Sequence, residues 1–443
     1  MKTIIKACKD KIAVTGIENF EIYAIRTKST IIQVKNGKVE FLNIAESKGL
    51  SLRIITEGRL GFSYTTDFRE SALDQIVAQA KAGGLATSSD PFLCFPPPIH
   101  DYPQVSIYDQ AAEKINLAAK IEFAKEMESA AKNYAPCIKR VRQSQFQDVV
   151  AEVYLHNHHG LDIAYQRTLY SGSILVMAEE KEEGEMGWNY AFHPYFHKLN
   201  PQEIGKEAAE IAAGMLGAKP IPTQKTNVIF INRVMSEILD VLSVAFRADE
   251  VQKGKSLLAS YLDKTVMSPQ VTIYDDGLYT DGYATRPFDD EGVPQQTTLL
   301  VENGVLKGFL YDTYTAAKEG KSSTGNAGRL GLETPPQVSL TNLYLAPGAI
   351  SFSELLKTLH TGLVVTDVLG MHTADPISGD FSVGASGYWV ERGERNFPVK
   401  GIAVAGNVLE LFKNILAVGQ DLRFFGHCGA PSVLIKGIQV SGY

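Results

Sequence analysis

The dipeptide Asn303-Gly304 constrains the local chain more tightly than any other pair in this sequence. A two-residue type I′ turn needs positive φ at both central positions, and Asn-Gly supplies both with little strain. On one side lies Thr297 to Glu302, rich in β-branched residues and leucine, and on the other Val305 to Tyr311, so the two runs read as a hairpin. Upstream, Asp289-Asp290-Glu291-Gly292-Val293-Pro294 is an acidic turn closed by Gly and Pro. Downstream, Ser323 to Arg329 (STGNAGR) is a backbone-rich loop ending in a cation. Such punctuation describes a hairpin between two solvated loops. It also admits a binding reading, in which Gly325 and Gly328 expose backbone N–H groups beside Arg329 and take a carboxylate or a peptide carbonyl. The candidate substrate or interface residues are Asp290, Glu291, Gly292, Thr324, Gly325, Asn326 and Arg329.

The bulk numbers exclude several classes. The chain has 443 residues, 44% hydrophobic and 21% charged, which is ordinary globular composition for two or three domains. A net charge of −7 argues against a nucleic-acid surface. The longest basic cluster, Lys139-Arg140-Val141-Arg142, reads as the solvated face of a strand. Cys8, Cys94, Cys137 and Cys428 are widely spaced, with no Cys-x-x-Cys pair to suggest a zinc ribbon or a redox motif. The first residues, MKTIIKACKDKIAVTG, lack the apolar core of a leader, and no apolar run reaches the roughly 18 residues of a membrane span. The expectation is a cytoplasmic protein with reduced thiols and neither membrane nor nucleic acid as a partner.

Taken in order, the pattern predicts an α+β fold: a mixed helix/strand N-terminal region, 1–218, followed by a mostly β C-terminal domain with antiparallel strands, 219–443. Strands are expected at 19–26, 29–34, 39–42, 50–56 and 59–64, with turns at Asn36-Gly37 and Glu57-Gly58. A helix over 71–82 carries Leu73, Ile76, Val77 and Ala80 on one face and is expected to stop at Gly83-Gly84. The Pro-rich stretch 85–103 is a stiff spacer and a possible sub-boundary. Helix is expected over 110–133, then short strands at 139–143, 149–155, 161–167 and 171–178, then an acidic loop at 179–185 and a helix over 201–216. Beyond 217–225, a second boundary, come a short strand (227–231), an apolar helix (235–246), and mostly strand and turn from Val271, with one helix at 353–360.

The acidic turn, hairpin and STGNAGR loop, in this order, resemble the PmbA/TldD family, long labelled modulators of DNA gyrase. The resemblance extends upstream through Gly254-Lys255-Ser256 and Val271 to Gly277 (VTIYDDG). Downstream it takes in Asn342 to Gly348 (NLYLAPG) and Gly429 to Ile435 (GAPSVLI), and it covers most of the chain. TldD-like members carry His-Glu-x-x-x-His on the helix after the domain boundary. There the His pair binds zinc, and the Glu is the general base for attack on a peptide bond. Counted back from Gly254-Lys255-Ser256, the matching positions here are Leu239, Asp240 and Val244, and no His lies between His197 and His360. The family's C-terminal Cys ligand falls at Ala417, with Cys428 eleven residues later. The resemblance therefore implies a PmbA/TldE-like subunit with no cofactor, no metal site and no catalytic residue of its own, and the isolated chain is expected to bind no stoichiometric zinc. Its implied partner is a TldD-like zinc-bearing chain in a heteromeric peptidase acting on peptides.

Two readings from other classes stand beside this one. The first is a homodimeric protein that binds a peptide or small ligand at Ser323–Arg329 without proteolysis. The second is an independent hydrolase using Cys428 or a histidine cluster. His193 and His197 have i, i+4 spacing, but Pro194 and the lack of an intervening acid favour an uncoordinated surface pair. His156, His158 and His159 read as a solvated hairpin tip, and Gly320-Lys321-Ser322 lacks the first Gly of a phosphate loop. His427 and Cys428 are adjacent on an expected strand, where they would point to opposite faces, so Cys428 reads as a plain buried thiol. Pairing through the edges of the 299–310 hairpin is the expected route to a dimer.

Overall fold

The computed structural model describes residues 1–99 and 101–443, so His100, inside the Pro-rich stretch, lies outside the described residues. The chain starts with α1 (Lys2–Ala13), a helix the sequence reading did not anticipate, which buries Ile5, Cys8 and Ile12 along one face. Then come β1 (Phe20–Lys35), β2 (Lys38–Thr56), β3 (Arg59–Thr65), α2 (Glu70–Leu85), α3 (Leu117–Lys132), β4 (Ile138–Asn157), β5 (Asp162–Glu180), β6 (Glu183–His193) and α4 (Pro201–Gly214). The six strands form one antiparallel sheet in the order β3-β2-β1-β4-β5-β6. Because β1 pairs with β4, the segments before and after the Pro-rich stretch share that sheet.

Pairs of short strands expected from the sequence are single long strands here. Glycines within the strands are points where a helix presses on the sheet. A Cβ on Gly172 in β5 would lie 2.7 Å from the Phe123 ring of α3, and one on Gly61 in β3 would collide with the Ala80 carbonyl of α2. Gly84 is likewise a buried contact inside α2, so Gly83-Gly84 does not stop the helix. The acidic run 179–185 is a tight hairpin, with Lys181 at φ 55° between β5 and β6.

Side chains alternate across the sheet. In β1, Ile22, Ala24, Ile32 and Val34 face the helices, meeting Leu73 and Ile76 at one end and Phe123 and Met127 at the other. Tyr23 points the other way and packs with Val153, Leu155 and Phe288 of the C-terminal half. Glu21 has the same parity and therefore also faces the C-terminal half.

That half contains β7 (Gln224–Phe230), α5 (Asn232–Ser243), α6 (Ala248–Gln252), β8 (Ile273–Asp276), β9 (Thr297–Glu302), β10 (Val305–Leu306), α7 (Thr313–Lys318), β11 (Ala327–Gly328), β12 (Gln337–Val338) and β13 (Leu343–Leu345). It ends with α8 (Phe352–Leu359), β14 (Gly362–Leu369), β15 (Asp380–Glu391), β16 (Glu394–Asn407), α9 (Val408–Lys413), β17 (Ile415–Val418), β18 (Arg423–Phe425), β19 (Cys428–Ala430) and β20 (Val433–Ser441). One sheet runs β16-β15-β14-β7-β20-β17, with β16 also pairing β20, and a second runs β10-β9-β8-β13-β19-β18. Most pairs are antiparallel, but β7–β14 and β13–β19 are parallel. The helix α5 buries Val234, Met235, Ile238, Leu239 and Leu242 in the core of this half. The α+β class is the one expected.

The Asn303-Gly304 turn has φ values of 49° and 81°, as a type I′ turn requires. Its second strand is shorter than expected, because the chain leaves the hairpin and Leu310 bridges to Arg247 instead. The outer edge of β10 is covered: Leu306 donates to the Lys264 carbonyl, and Val266 donates to that of Gly304. With Leu300, Val301, Leu306 and Leu310 all buried, this hairpin is not an open pairing edge, which corrects the dimer route expected from sequence. An open edge lies elsewhere. β3 pairs with β2 only from Leu50 onward, leaving residues 38–49 of β2 bonded to β1 alone.

The α2–β3 contact is a strict test of this packing. Gly61→Ala should lower stability by about 1–3 kcal/mol, the usual range for forcing an extra carbon into a packed site. The midpoint of urea unfolding measures it.

Candidate functional site

Of the seven residues singled out from the sequence, Glu291, Gly292 and Arg329 touch the N-terminal half directly, Asp290 holds Arg329, and Thr324, Gly325 and Asn326 are bonded within the C-terminal half. Glu21 of β1, fully buried, takes both Nε and Nη2 of Arg53 at 2.9 and 2.6 Å. It also takes Nη2 of Arg329 at 2.8 Å. The third Arg53 nitrogen, Nη1, reaches Glu291 Oε1 at 3.0 Å, while the other Glu291 oxygen accepts the Thr313 N–H. Asp290 takes Nη1 of Arg286 and the backbone N–H of Arg329. The Arg329 guanidinium also lies 4.6 Å from the Tyr23 ring centre, and its side chain is 3% exposed. The expected open loop with a free cation is therefore not what the chain forms. Burial lowers the pKa of Arg329, whereas for Arg53 the charges of Glu21 and Glu291 outweigh the same burial and raise it.

The remaining candidates shape the backbone of this junction. Gly292 has φ 88°, and a Cβ there would lie 2.5 Å from Leu161 of the N-terminal sheet. Its carbonyl accepts the Tyr102 hydroxyl, so the end of the Pro-rich stretch docks here. Gly325 has φ 75°, and its carbonyl accepts the Gln295 amide. Thr324 Oγ1 donates to Asn326 Oδ1, and Asn326 Nδ2 donates to the buried Asp275 carboxylate at 2.7 Å. Asp289 gathers the N–H groups of Glu291, Val293 and Ala327; burial, reinforced by the charge of Glu291, raises its pKa to about 7.

Two clefts flank this junction. One, of about 370 Å³, is lined by Arg167, Val244, Arg247, Arg286, Arg329 and His427. Arg286 and Arg329 each keep a buried Nε–H without a hydrogen-bond partner. The other, of about 930 Å³, lies between β6 and α4 on one side and α5, β14 and β15 on the other, where Arg233 stacks 4.5 Å from Trp188. The helix α5 contributes to the larger cleft with Asn232 and Arg233 and to the smaller with Ser243.

At the positions where the resembled family carries zinc ligands, Leu239 is fully buried, Val244 continues the helix in a 3-10 turn, and Ala417 packs against the cluster of Ile229, Leu355 and Leu434. None of these side chains can ligate, so the zinc of that motif does not fit here. A different set of donors does converge. Asp240 on α5 meets His427 and Cys428, with all ligand atoms within 4.8 Å of one another. His427 Nε2 lies 3.2 Å, and Cys428 Sγ 3.6 Å, from the same Asp240 oxygen. The expected opposition of His427 and Cys428 fails because His427 precedes β19, just after Gly426 turns at φ 74°. The hydrogen bond with Asp240 raises the His427 pKa and lowers that of Asp240; burial, then the Asp240 charge, pushes the Cys428 thiol well up. A thiol so held is not an activated nucleophile, and among the described residues it makes no hydrogen bond to His427, which removes support from the cysteine-hydrolase reading.

The histidines behave differently from expectation as well. His193 ends β6 and His197 lies in a short 3-10 turn, so they do not share a helical face, and His193 Nε2 lies 3.4 Å from Asp281. His156 is buried, and His158 packs on Phe95 and Phe20. The supposed solvated tip is solvated only at His159 and Gly160.

With this geometry in place, comparison with known proteins decides the family. Models of the PmbA/TldA metallopeptidase match in three consecutive parts: domain 1 over residues 20–83, the central domain over 111–216 and the C-terminal domain over 223–442. The chain belongs to the PmbA/TldD family. It is 28% identical over 431 residues to the Escherichia coli O157:H7 protein named metalloprotease PmbA, covering 95% of this chain and 92% of that one. A Thermotoga maritima protein, whose crystal structure was described as that of a proposed modulator of a DNA gyrase, matches at TM-score 0.92. That match has 31% identity and covers 99% of this chain and 100% of that one. TldE from Thermococcus kodakarensis, 20% identical, has the same fold at TM-score 0.90, covering both chains in full.

The sequence reading missed Glu21, Arg53 and Arg286, which complete the charge network, and the triad of donors around Asp240. A signal existed for the first two: a charged residue interrupts each of the apolar strand runs FEIYA and LRII. Two outcomes follow. Arg53→Met leaves two buried carboxylates short of a partner and should destabilise by about 3–5 kcal/mol, whereas Arg69→Ala, at an exposed ion pair, should leave the urea midpoint essentially unchanged. Asp289 has a folded pKa raised above its unfolded value. The stability it contributes is complete below about pH 4 and is lost as pH rises through about 7. The stability gap between wild type and Asp289→Ser should therefore narrow from pH 4 to pH 8 by more than about 1 kcal/mol.

Proposed function

We propose that this chain is a PmbA/TldE-like, non-catalytic subunit that works in the cytoplasm with a TldD-like, zinc-bearing chain to process peptides. The observation that carries this reading is the state of the family's motif positions: Leu239, Val244 and Ala417 are all apolar, with Leu239 in the core, Ala417 packed against a second cluster and Val244 on the wall of the smaller cleft. Family membership and the relative named metalloprotease PmbA support the peptidase context. The net charge of −7 lends no support to a direct role on DNA. Among the described residues no helix is long and apolar enough to cross a membrane.

The partner surface that the fold favours is the outer half of β2. Residues 38–48 are exposed, and they include Val39, Phe41, Leu42 and Ile44 at 40, 45, 42 and 64% exposure. Phe41 and Leu42 lie on opposite faces of the strand, so the arm is apolar on both sides and has one unpaired backbone edge. An apolar strand with a free edge is a pairing template, and a like-folded partner or an extended peptide covers it by strand addition. A second copy of this chain could use the same edge, which is how the homodimeric binding reading enters.

Sedimentation and a peptidase assay test the proposal together. The purified chain should cleave no peptide alone, form a complex with a TldD-like relative and support cleavage in that complex. Phe41→Lys with Ile44→Lys should weaken association at least tenfold. A chain that stays monomeric with the relative present, and adds nothing to its activity, overturns the subunit role. A homodimer indifferent to the relative favours the binding protein.

A further inference from the structure

Asp240, His427 and Cys428 bring a carboxylate oxygen, an imidazole nitrogen and a sulfur together from two elements far apart in sequence, α5 and the turn into β19. None of the three stands at a position where the family's motif has a ligand. Their spacing is informative. Zinc bonded tetrahedrally at about 2.0–2.3 Å sets ligand-to-ligand edges of about 3.3 Å for nitrogen–oxygen and about 3.5 Å for sulfur–oxygen. The observed separations are 3.2 Å from His427 Nε2 and 3.6 Å from Cys428 Sγ to one Asp240 oxygen. A plain His–Asp hydrogen bond explains the first distance. A thiol hydrogen bond accounts for the second in the metal-free chain, and both donors converge on the one oxygen, as ligands of a single ion would.

We propose that Asp240, His427 and Cys428 bind one zinc ion, tying α5 to β19. Sulfur, imidazole and carboxylate together suit zinc better than magnesium or calcium, which prefer oxygen alone. Buried Asp275 acts on both His427 and Cys428 in the direction that favours positive charge, while the arginines of the adjoining cleft act against it, so the site rests on its donor geometry. An entry path exists, since the His427 and Asp240 side chains are 44 and 55% exposed and His427 lines the 370 Å³ cleft. Cys428 is nearly buried, so its sulfur becomes the inner anchor. On binding, the zinc–sulfur bond replaces the S–H bond, and the thiol proton is released to solvent. Three protein donors leave a fourth position for water. With Asp240 occupied as a ligand, the set contains no carboxylate free to act as a base on that water, so the site does not conflict with a non-hydrolytic chain.

The experiment uses the full-length, untagged chain, stripped of metal and titrated with cobalt(II) as a spectroscopic substitute and with zinc against a chromogenic chelator. Wild type should take up one ion per chain, release about one proton and show a thiolate-to-cobalt charge-transfer band. Cys428→Ser should abolish the band. His427→Ala and Asp240→Ala, both partly exposed and able to fold by circular dichroism, should each weaken zinc binding at least tenfold. No band in wild type, a band that survives Cys428→Ser, or unchanged affinity in both surface variants overturns the site. Peptidase activity is not a readout here, so the result is independent of the subunit proposal.

Discussion

The carboxylate of Glu21 holds the two halves of the molecule in register. It is fully buried and sits between two guanidinium groups, one from the neighbouring strand β2 and one from the C-terminal half, more than 300 residues away in sequence. A buried ion needs opposite charge and hydrogen bonds in good geometry, because desolvation otherwise outweighs the attraction. Here Arg53 meets Glu21 side-on through two nitrogens and Glu291 through the third, and Arg329 adds its own nitrogen and lies over Tyr23. Such a cluster tolerates little displacement. Its contribution is therefore best seen as specificity of docking: a shift of either half by an ångström would leave charges unpaired in the interior. The Tyr23, Phe288 and Leu155 contacts beside it supply the apolar burial that the ions do not.

This explains why the acidic turn, the hairpin and the STGNAGR loop looked like a site. Charged residues beside glycines are the composition of a ligand loop, and also of a tight, buried, polar junction. Sequence distinguishes the two only when the partners of the charges are known. Glu21 and Arg53 were in view as single charges in apolar strands, but nothing local linked them to Arg329. Long-range pairing of this kind has no periodicity to detect. By contrast, the α+β class, the type I′ turns and the apolar face of α2 were legible, because each rests on spacing within one element. Strand lengths were not. Nothing in the sequence joined the short expected runs into long strands, and Gly61 and Gly172, inside two of those runs, mark places where α2 and α3 approach the sheet.

The N-terminal sheet also shows what a shared sheet does to domain boundaries. The family's first and central parts are separated by the Pro-rich stretch, yet β1 of one pairs with β4 of the other along most of its length. The stretch itself is anchored, through Tyr102 to the Gly292 carbonyl and through Phe95 beneath the Arg53 guanidinium. A stiff, proline-rich spacer is suited to crossing the face of a sheet, since it needs no hydrogen-bond ladder of its own. It acts here as a strap across one folded body.

The state of α5 bears most directly on chemistry. Its core face, Val234, Met235, Ile238, Leu239 and Leu242, is complete, with each residue at most 1% exposed. A histidine at Leu239 would place an imidazole in that core, with no polar group supplied for its ring nitrogens. The helix has thus not merely lost ligand-type residues relative to the family's zinc motif; it has given the position to packing. Asp240, the next residue, faces away from that core and is the one polar position of the motif to remain. It meets His427 and Cys428 at the turn into β19, which the motif does not involve. The helix thus keeps its place in the fold with hydrocarbon at the counted ligand positions, and its one carboxylate there, Asp240, faces His427 and Cys428 instead of the core.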